Sequence, residues 1–553
     1  MRLRLLATLL AVGMAGTLSA QTQPLLQLQG QPYSGGSMKL HLSGTVGQPA
    51  LLAYGLNPLP LDQPLYTGKG AWYVGSLVNL VSLGAIPSGG RIDLAFAMPP
   101  ISPALTGIPI VMQGYVPFAL SNSATLPLDE AYYVPAAALV LTSPQPQAGA
   151  KFGDRVATGD LNGDGAVDIV VGAWFEDYGG FDFAGRAYIF WGPSFTSTLV
   201  LDPPSPYPAG EFGDGVAVAD FDGDGLVDLM VGEASGYPFS SVGPGYLYFY
   251  SGGPGFSPTP RLTITSAVAG LNADIFGRIH TEGDLNGDGF IDIAIGLPNA
   301  TVGPLSLAGR IHVFWGPSFD TYTELVSPEP EANANFGSAL AIGDVDGDGL
   351  ANLIEGSGRD DVGSSENVGS VHVYTGPALS LSNTISNPLG LVAFSYFGDG
   401  LGTADLDQDG LADVAASDEF DHVFVFWSGT ASNYSLIKKP PSGSNPLGAF
   451  GFHLEAGDVN GDGRPDLVIG NAFEGVLPCS GSKGGMAHVA LGPYFESFHT
   501  VIDKNPACGN EFAWCFKTED LDGDGVGELI AGSPTADDGG VQNGGHLTIF
   551  YSH

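Results

Sequence analysis

The sequence predicts an all-β fold, a seven-bladed β-propeller preceded by a small β-sandwich-like domain. Three observations carry this reading. A nine-residue acidic loop, D-x-[DN]-x-D-G-x-x-[DNE], recurs seven times, opening at Asp160, Asp220, Asp284, Asp344, Asp405, Asp458 and Asp520, with a spacing of about 53 to 64 residues. A period of that size means a solenoid, a propeller or an array. Each copy sits among short apolar runs bounded by Gly, Pro, Asn and Asp, four strand-like runs per repeat and none that reads as a helix. The array is also offset: the seventh repeat ends after its third strand, Gly545-His-Leu-Thr-Ile-Phe550, while Ala138-Leu-Val-Leu-Thr142 carries a fourth-strand pattern ahead of the first repeat. Residues 138–142 are therefore expected to pair with the last blade and close the ring, which leaves only short, protected sheet edges.

Residues 1–20 read as a secretory signal peptide. Arg2 and Arg4 precede an apolar run from Leu5 to about Gly16, and Leu18-Ser-Ala20 places a small residue at the cleavage point. The run is short for a membrane span, which needs about 20 apolar residues. No Cys stands directly after the cleavage point, as a lipid anchor would need, and no later segment is apolar enough to cross a bilayer. An exported protein without membrane insertion is expected, in the periplasm, at the cell surface or in the medium. From about residue 21 to 135 the acidic loops are absent, and alternating runs such as Met38-Lys-Leu-His-Leu42, Ile92-Asp-Leu-Ala-Phe96 and Ile110-Val-Met-Gln-Gly-Tyr115 alternate with Gly/Pro/Ser turns. This pattern suggests a small all-β sandwich.

Residues 136–553 hold the repeats. About eight residues before each loop stands Phe152-Gly153, Phe212-Gly213, Phe276-Gly277, Phe336-Gly337, Phe397-Gly398, Phe450-Gly451 or Phe512-Ala513. After the loop comes an apolar second strand and a small-residue turn such as Val171-Gly-Ala-Trp174. The third strand alternates and in most copies stops at Gly-Pro, as in Arg186-Ala-Tyr-Ile-Phe-Trp-Gly-Pro193, and a fourth, such as Thr198-Leu-Val-Leu201, leads to the next Phe-Gly.

One loop is a plausible chelate on donor chemistry alone. Side-chain oxygens at positions 1, 3, 5 and 9 and a carbonyl at position 7 form a hard-oxygen cage of the kind Ca²⁺ prefers, and Gly at position 6 permits the sharp bend. The first loop offers Asp160, Asn162, Asp164, the Ala166 carbonyl and Asp168; the second Asp220, Asp222, Asp224, Leu226 and Asp228. The third offers Asp284, Asn286, Asp288, Phe290 and Asp292; the fourth Asp344, Asp346, Asp348, Leu350 and Asn352. The fifth offers Asp405, Asp407, Asp409, Leu411 and Asp413; the sixth Asp458, Asn460, Asp462, Arg464 and Asp466; the seventh Asp520, Asp522, Asp524, Val526 and Glu528. Up to seven Ca²⁺ are expected, with Asn352, which removes a charge, and Glu528, which is longer, weakening or altering their sites. An isolated Asp/Gly stretch is equally a solvated turn. An EF-hand needs an acidic residue at position 12 and flanking helices; only Glu355 has that position, and strands follow the loops.

The Phe-Gly, acidic-loop and Gly-Ala-Pro-like elements resemble the FG-GAP repeats of the integrin α-subunit propeller and its bacterial relatives, over residues 136–553. The resemblance implies ions in the loops joining strands 1 and 2, and ligands engaged by the opposite face, built from loops 2–3 and 4–1. The chain has no inserted von Willebrand-type domain in those loops and no thigh, calf or transmembrane segments, so a heterodimeric receptor role does not carry over.

The formal charge is −40, and 24 of the 58 Asp and Glu residues occupy proposed ligand positions. The excess argues against nucleic acid or an anionic membrane as partner. Apolar residues at 44% exclude a disordered chain. Cys479 falls in a 2–3 loop and Cys508 in a 4–1 loop of adjacent blades, with Cys515 in the first strand of blade seven; a Cys479–Cys508 disulfide, another pairing or none are open.

No G-x-S-x-G, Walker or H-E-x-x-H element is present. His312, His372, His422 and His488 recur on third strands, where packing explains them. Trp174, Phe175, Tyr178 and Phe181 lie in or beside the first 2–3 loop, for stacking on a sugar or a partner side chain, or for loop packing. The expected function is a non-enzymatic binding or adhesion module for an unidentified protein or glycan ligand, as a monomer. The alternative is a polysaccharide lyase or hydrolase, which requires Arg, Lys or His clustered with carboxylates at the central opening.

Overall fold

The computed structural model describes residues 1–137 only by the backbone of their strands, and residues 138–551 with side chains apart from 235–243, 266–274, 419–420, 441–449, 475–483, 493–494, 496–497, 504–508 and 538–539. The chain divides near residue 132 into two compact units. The first holds a four-stranded sheet in the order Leu77–Ala85, Pro49–Pro58, Leu3–Thr8, Ile110–Gln113, a three-stranded sheet of Leu26–Gly30, Ser37–Ser43 and Arg91–Ala97, and the hairpin Leu65–Thr67 with Gly70–Trp72. Leu3–Thr8, inside the segment read as an export signal, is a strand antiparallel to Pro49–Pro58 and parallel to Ile110–Gln113.

The second unit is a seven-bladed β-propeller. Blade one runs Arg155–Gly159, Asp168–Ala173, Arg186–Trp191, Ser197–Leu201 in antiparallel order, and the same order repeats through blade six. The first strands of neighbouring blades touch in sequence, and that of blade seven, Phe516–Glu519, touches that of blade one. The first strands therefore ring the axis and the fourth strands lie outermost. Every second strand begins at loop position 9 and is six residues of unbroken burial, from Asp168–Ala173 to Glu528–Ser533. Burial on both faces is why these runs read as continuous apolar stretches and not as alternating ones.

Blade seven is completed from upstream. Ala138–Thr142 pairs antiparallel with His546–Phe550, from Ala138 opposite Phe550 to Thr142 opposite His546. Leu141 is buried in the cluster that also holds Phe152, Ile169 and Ile549, so blades seven and one share a core across the seam.

The Phe-Gly pair makes the contact between blades. Each Phe is buried and meets a third-strand ring of its own blade, as Phe152 with Tyr188 at 5.6 Å, Phe397 with Phe424 at 5.6 Å and Phe512 with Phe550 at 5.8 Å. Its amide bonds back to the preceding blade: Phe212 N–H to Ala184 O at 3.0 Å, Phe336 to Ala308 at 3.1 Å and Phe397 to Val368 at 3.0 Å. Gly213 (φ 91°) then brings its carbonyl so close to the second strand of blade one that a Cβ on Gly172 would collide with it. The same collision would occur between Gly296 and the Gly337 carbonyl and between Gly532 and the Gly153 carbonyl.

Leu141→Ala is expected to cost about 2–3 kcal/mol, by removing buried apolar volume at the seam. Denaturant melts of the variant measure this. A chain starting at residue 143 is expected to melt well below one starting at residue 138.

Candidate functional site

The acidic loops join first strands to second strands. Because the strands alternate in direction, these loops and the 3–4 turns share one face, and the 2–3 and 4–1 loops share the other. Inside loop one, Asp160 Oδ1 accepts the Gly163 and Asp164 amides at 2.8 and 3.0 Å, and Oδ2 accepts Gly165 at 2.8 Å. Asn162 Oδ1 accepts Asp164 N–H and Asp164 Oδ1 accepts Ala166 N–H, at 2.8 and 2.9 Å. The bond from position 6 to position 1 recurs in all seven loops at 2.7–3.0 Å. Gly163 (φ 73°) and Gly165 (φ 87°) supply the left-handed backbone this requires, whereas loop five forces Gln408 to φ 63° in place of the first glycine.

Position 9 is different in kind. Asp168 is fully buried, its Oδ2 accepting Leu161 N–H at 3.0 Å and its Oδ1 accepting Gly192 N–H at 2.8 Å, so one carboxylate ties the 1–2 loop to the 3–4 turn. Asp292 and Asp413 repeat both bonds. Burial pushes Asp168, Asp292 and Asp413 up to about 6 and Asp466 up to about 7, against backbone amides that hold them down. Glu528 reaches the same place with its longer chain and accepts Leu521 N–H at 2.8 Å. Asn352 keeps the first bond, from Val345 N–H at 2.8 Å, but presents an NH₂ where the 3–4 turn needs an acceptor, and that Nδ2 has no partner.

The donor set fits Ca²⁺. In loops two, four, five and seven, three carboxylates each bring an oxygen within 4.8 Å of the others: Asp220, Asp222 and Asp228; Asp344, Asp346 and Asp348; Asp405, Asp407 and Asp413; Asp520, Asp522 and Glu528. Ca–O distances of 2.3–2.6 Å put oxygens on opposite sides of one ion about 5 Å apart. Loops one, three and six carry Asn at position 3. In loop six Asn460 Nδ2 donates to both Asp466 oxygens, at 3.0 and 2.8 Å.

Of the two roles open to the aromatics of the first 2–3 loop, the structure places three of the four in loop packing. Trp174 is buried, not exposed, with Phe175 at 3.8 Å between ring centroids and the Arg278 guanidinium 5.2 Å from its ring. Phe175 packs on Phe183 at 4.8 Å, and Arg186 covers Tyr178 at 4.5 Å. Phe181 alone of the four reaches the exposed class. The third-strand histidines pack: His312 stacks on Tyr322 at 4.3 Å, His372 meets Glu355 at 3.0 Å and His488 meets Thr500 at 3.0 Å. Glu355 also accepts Gly337 N–H at 2.7 Å and belongs to the blade core. Cys479 and Cys508, and with them the question of a disulfide between them, lie outside the described residues. Cys515 precedes the first strand of blade seven, is a buried thiol and donates to Gly153 O at 3.1 Å, with burial pushing it up to about 12.

Sequence reasoning found no cluster of bases and carboxylates at the axis, and the fold assembles one. Buried Asp214 lies between Arg155 and Arg278, each at 3.3 Å, and Arg155 also pairs with Asp154 at 2.5 Å. Further along the ring Lys517 pairs with Glu455 at 3.2 Å, and Thr158 donates to Glu519 at 2.9 Å. The Glu455 carboxylate raises Lys517, and Glu282 of blade three acts in the same direction. The signal was present as charges one to six residues before loop position 1, but which of them meet depends on ring closure.

Matches to known proteins agree with this geometry. The FG-GAP-like repeat model matches residues 160–231, 284–355 and 405–469, and the FG-GAP repeat model matches 450–489. The chain carries FG-GAP repeats. It is 34% identical over 188 residues to phosphatidylinositol-glycan-specific phospholipase D of Homo sapiens, covering 32% of this chain and 22% of that protein. Integrin alpha-PS5 of Drosophila melanogaster is 35% identical over 161 residues, 28% of this chain and 16% of that one. Integrin alpha-V of Gallus gallus is 26% identical over 234 residues, 38% and 21% respectively. The chain thus spans about a fifth of the length of each of these relatives.

Two tests follow from the site. Asn352→Asp restores the missing acceptor and is expected to raise stability in Ca²⁺ by about 1 kcal/mol, read as a higher melting temperature. Glu233, fully buried with the Tyr248 hydroxyl donating to it at 2.6 Å, is pushed up to about 8 by burial. The folded state therefore holds a proton that the unfolded state releases near its ordinary value. This stabilisation is complete below about pH 4.5 and is lost as pH rises towards 8, at up to about 1.4 kcal/mol per pH unit. Glu233→Gln should flatten the decline of melting temperature between pH 5 and 8.

Proposed function

We propose that this chain is an exported, Ca²⁺-binding propeller that serves as a non-enzymatic binding or adhesion module for a protein or glycan ligand. The observation that carries the reading is the segregation of seven acidic loops to one face. Ca²⁺ held there by positions 1, 3, 5, 7 and 9 would neutralise the loops and keep the buried position-9 carboxylates ionised. The loops on the opposite face would then be presented by a rigid scaffold. The likeness to integrin α-subunits supports a binding role, and the basic, apolar start of the chain supports export. A monomer suffices for this role.

The axial cluster of Lys517, Glu455, Glu519 and Glu282 favours a second reading, hydrolysis or elimination on a polysaccharide at the central opening. The partial likeness to a phospholipase D covers 22% of that protein and lends this reading no chemistry of its own.

Thermal melts of the protein with Ca²⁺ and with chelator, alongside metal counting after dialysis, test the first reading. A rise in melting temperature of several degrees with several ions bound is expected; no shift and no bound metal would withdraw it. The same protein is then screened against glycan and surface-protein panels. Binding without turnover is expected, and polysaccharide cleavage abolished by Lys517→Met would favour the second reading.

A further inference from the structure

Loop two differs from the other loops in one respect. Arg261, just before the fourth strand Leu262–Thr265, reaches back into it: Nη2 donates to Asp228 Oδ2 at 3.1 Å, and Nε lies 3.4 Å from Asp222 Oδ2. In loops one, three, five and seven the corresponding carboxylate oxygen accepts the position-2 amide. The guanidinium has taken that place on Asp228 and also pairs with Asp222, so it engages two of the four side-chain positions expected to hold an ion. The Arg261 backbone is fixed, its N–H donating to Phe249 O at 2.7 Å, and its guanidinium lies 5.9 Å from the Phe249 ring. At the same register blades one, three, four and five carry Thr198, Tyr322, Leu381 and Tyr434, which bring no charge.

We propose that Arg261 is a tethered cation that stands in for Ca²⁺ in loop two. The inference rests on the Ca²⁺ reading of the other loops. Loop five is the internal reference, because Asp405, Asp407, Asp409 and Asp413 match Asp220, Asp222, Asp224 and Asp228 residue for residue. An ion entering loop two must displace the guanidinium from two carboxylates or share them with a like charge, and loop five imposes neither cost. Loop two is thereby held folded at Ca²⁺ concentrations that leave the other loops empty, and it stays free of Ca²⁺ at concentrations that fill loop five.

The test counts Ca²⁺ bound to the full chain by equilibrium dialysis, for wild type, Arg261→Gln and the double variant Arg261→Gln/Asp220→Asn. Arg261→Gln is expected to bind one ion more than wild type, and the double variant to lose it again. Equal counts for wild type and Arg261→Gln, with ions bound to both, would overturn the proposal and leave the Ca²⁺ reading standing. No ion on any of the three would overturn both. A crystal structure of the wild type grown in Ca²⁺ needs no variant to fold: an ion in loop five with Arg261 still on Asp222 and Asp228 supports the proposal, and an ion in loop two refutes it.

Discussion

The structure depends on how closely one blade's backbone can approach the next. The carbonyl after each buried Phe presses on the second strand of the preceding blade, where Gly172, Gly232, Gly296, Gly356, Gly470 or Gly532 leaves room for it. A single methyl at Gly172 or Gly296 would be stopped by a carbonyl oxygen, and sheets wedged apart at one contact could not close a ring of seven. Blade five solves the problem with a different residue: Ser417 stands at the second-strand position, and Gly400, just before the first strand, receives the Gly451 carbonyl. The Phe side chain fills the core of its own blade while its amide bonds to the blade before, so two adjacent residues serve both intrablade packing and interblade registration.

The acidic loops lie outside that core but are fastened to it. Position 9 is the first residue of a fully buried strand, and its carboxylate accepts amides from two different turns. Positions 1, 3 and 5 are folded over the loop by their own backbone amides, so the oxygens are gathered before any ion arrives. Preorganisation of this kind lowers the ordering cost of binding. It also concentrates like charge, and the chain meets that in two ways: neutral Asn at position 3 of loops one, three and six, and a guanidinium in loop two.

The repeat architecture and the metal-loop residues were legible because each repeat writes them locally. Asp160 through Asp168 is one turn, and its ligands lie within nine residues. The Phe-Gly glycine is legible for the same reason, since a left-handed backbone at Gly153 or Gly213 is a local requirement. The burial of Trp174 was not legible, because Arg278, which covers it, comes from just before the first strand two blades further on. The charged axis was hidden for the same reason: Arg155, Asp214 and Arg278 belong to three blades, and Lys517 and Glu282 approach one another only when blade seven returns to blade one.

By itself, the sequence determined the seven-fold repeat, the four strands in each unit, the acidic loops between first and second strands, and the upstream strand that the last blade lacks. These follow from composition and spacing over fewer than about ten residues at a time, the range over which turn chemistry and strand alternation act. Tertiary structure decided which side chains share an environment. It buried Trp174, left the Asn352 amide without a partner, set Arg261 against the carboxylates of loop two, and gathered isolated charges around the axis. Each of those outcomes is a distance between residues of different strands or different blades, fixed only when the blades pack and the ring closes.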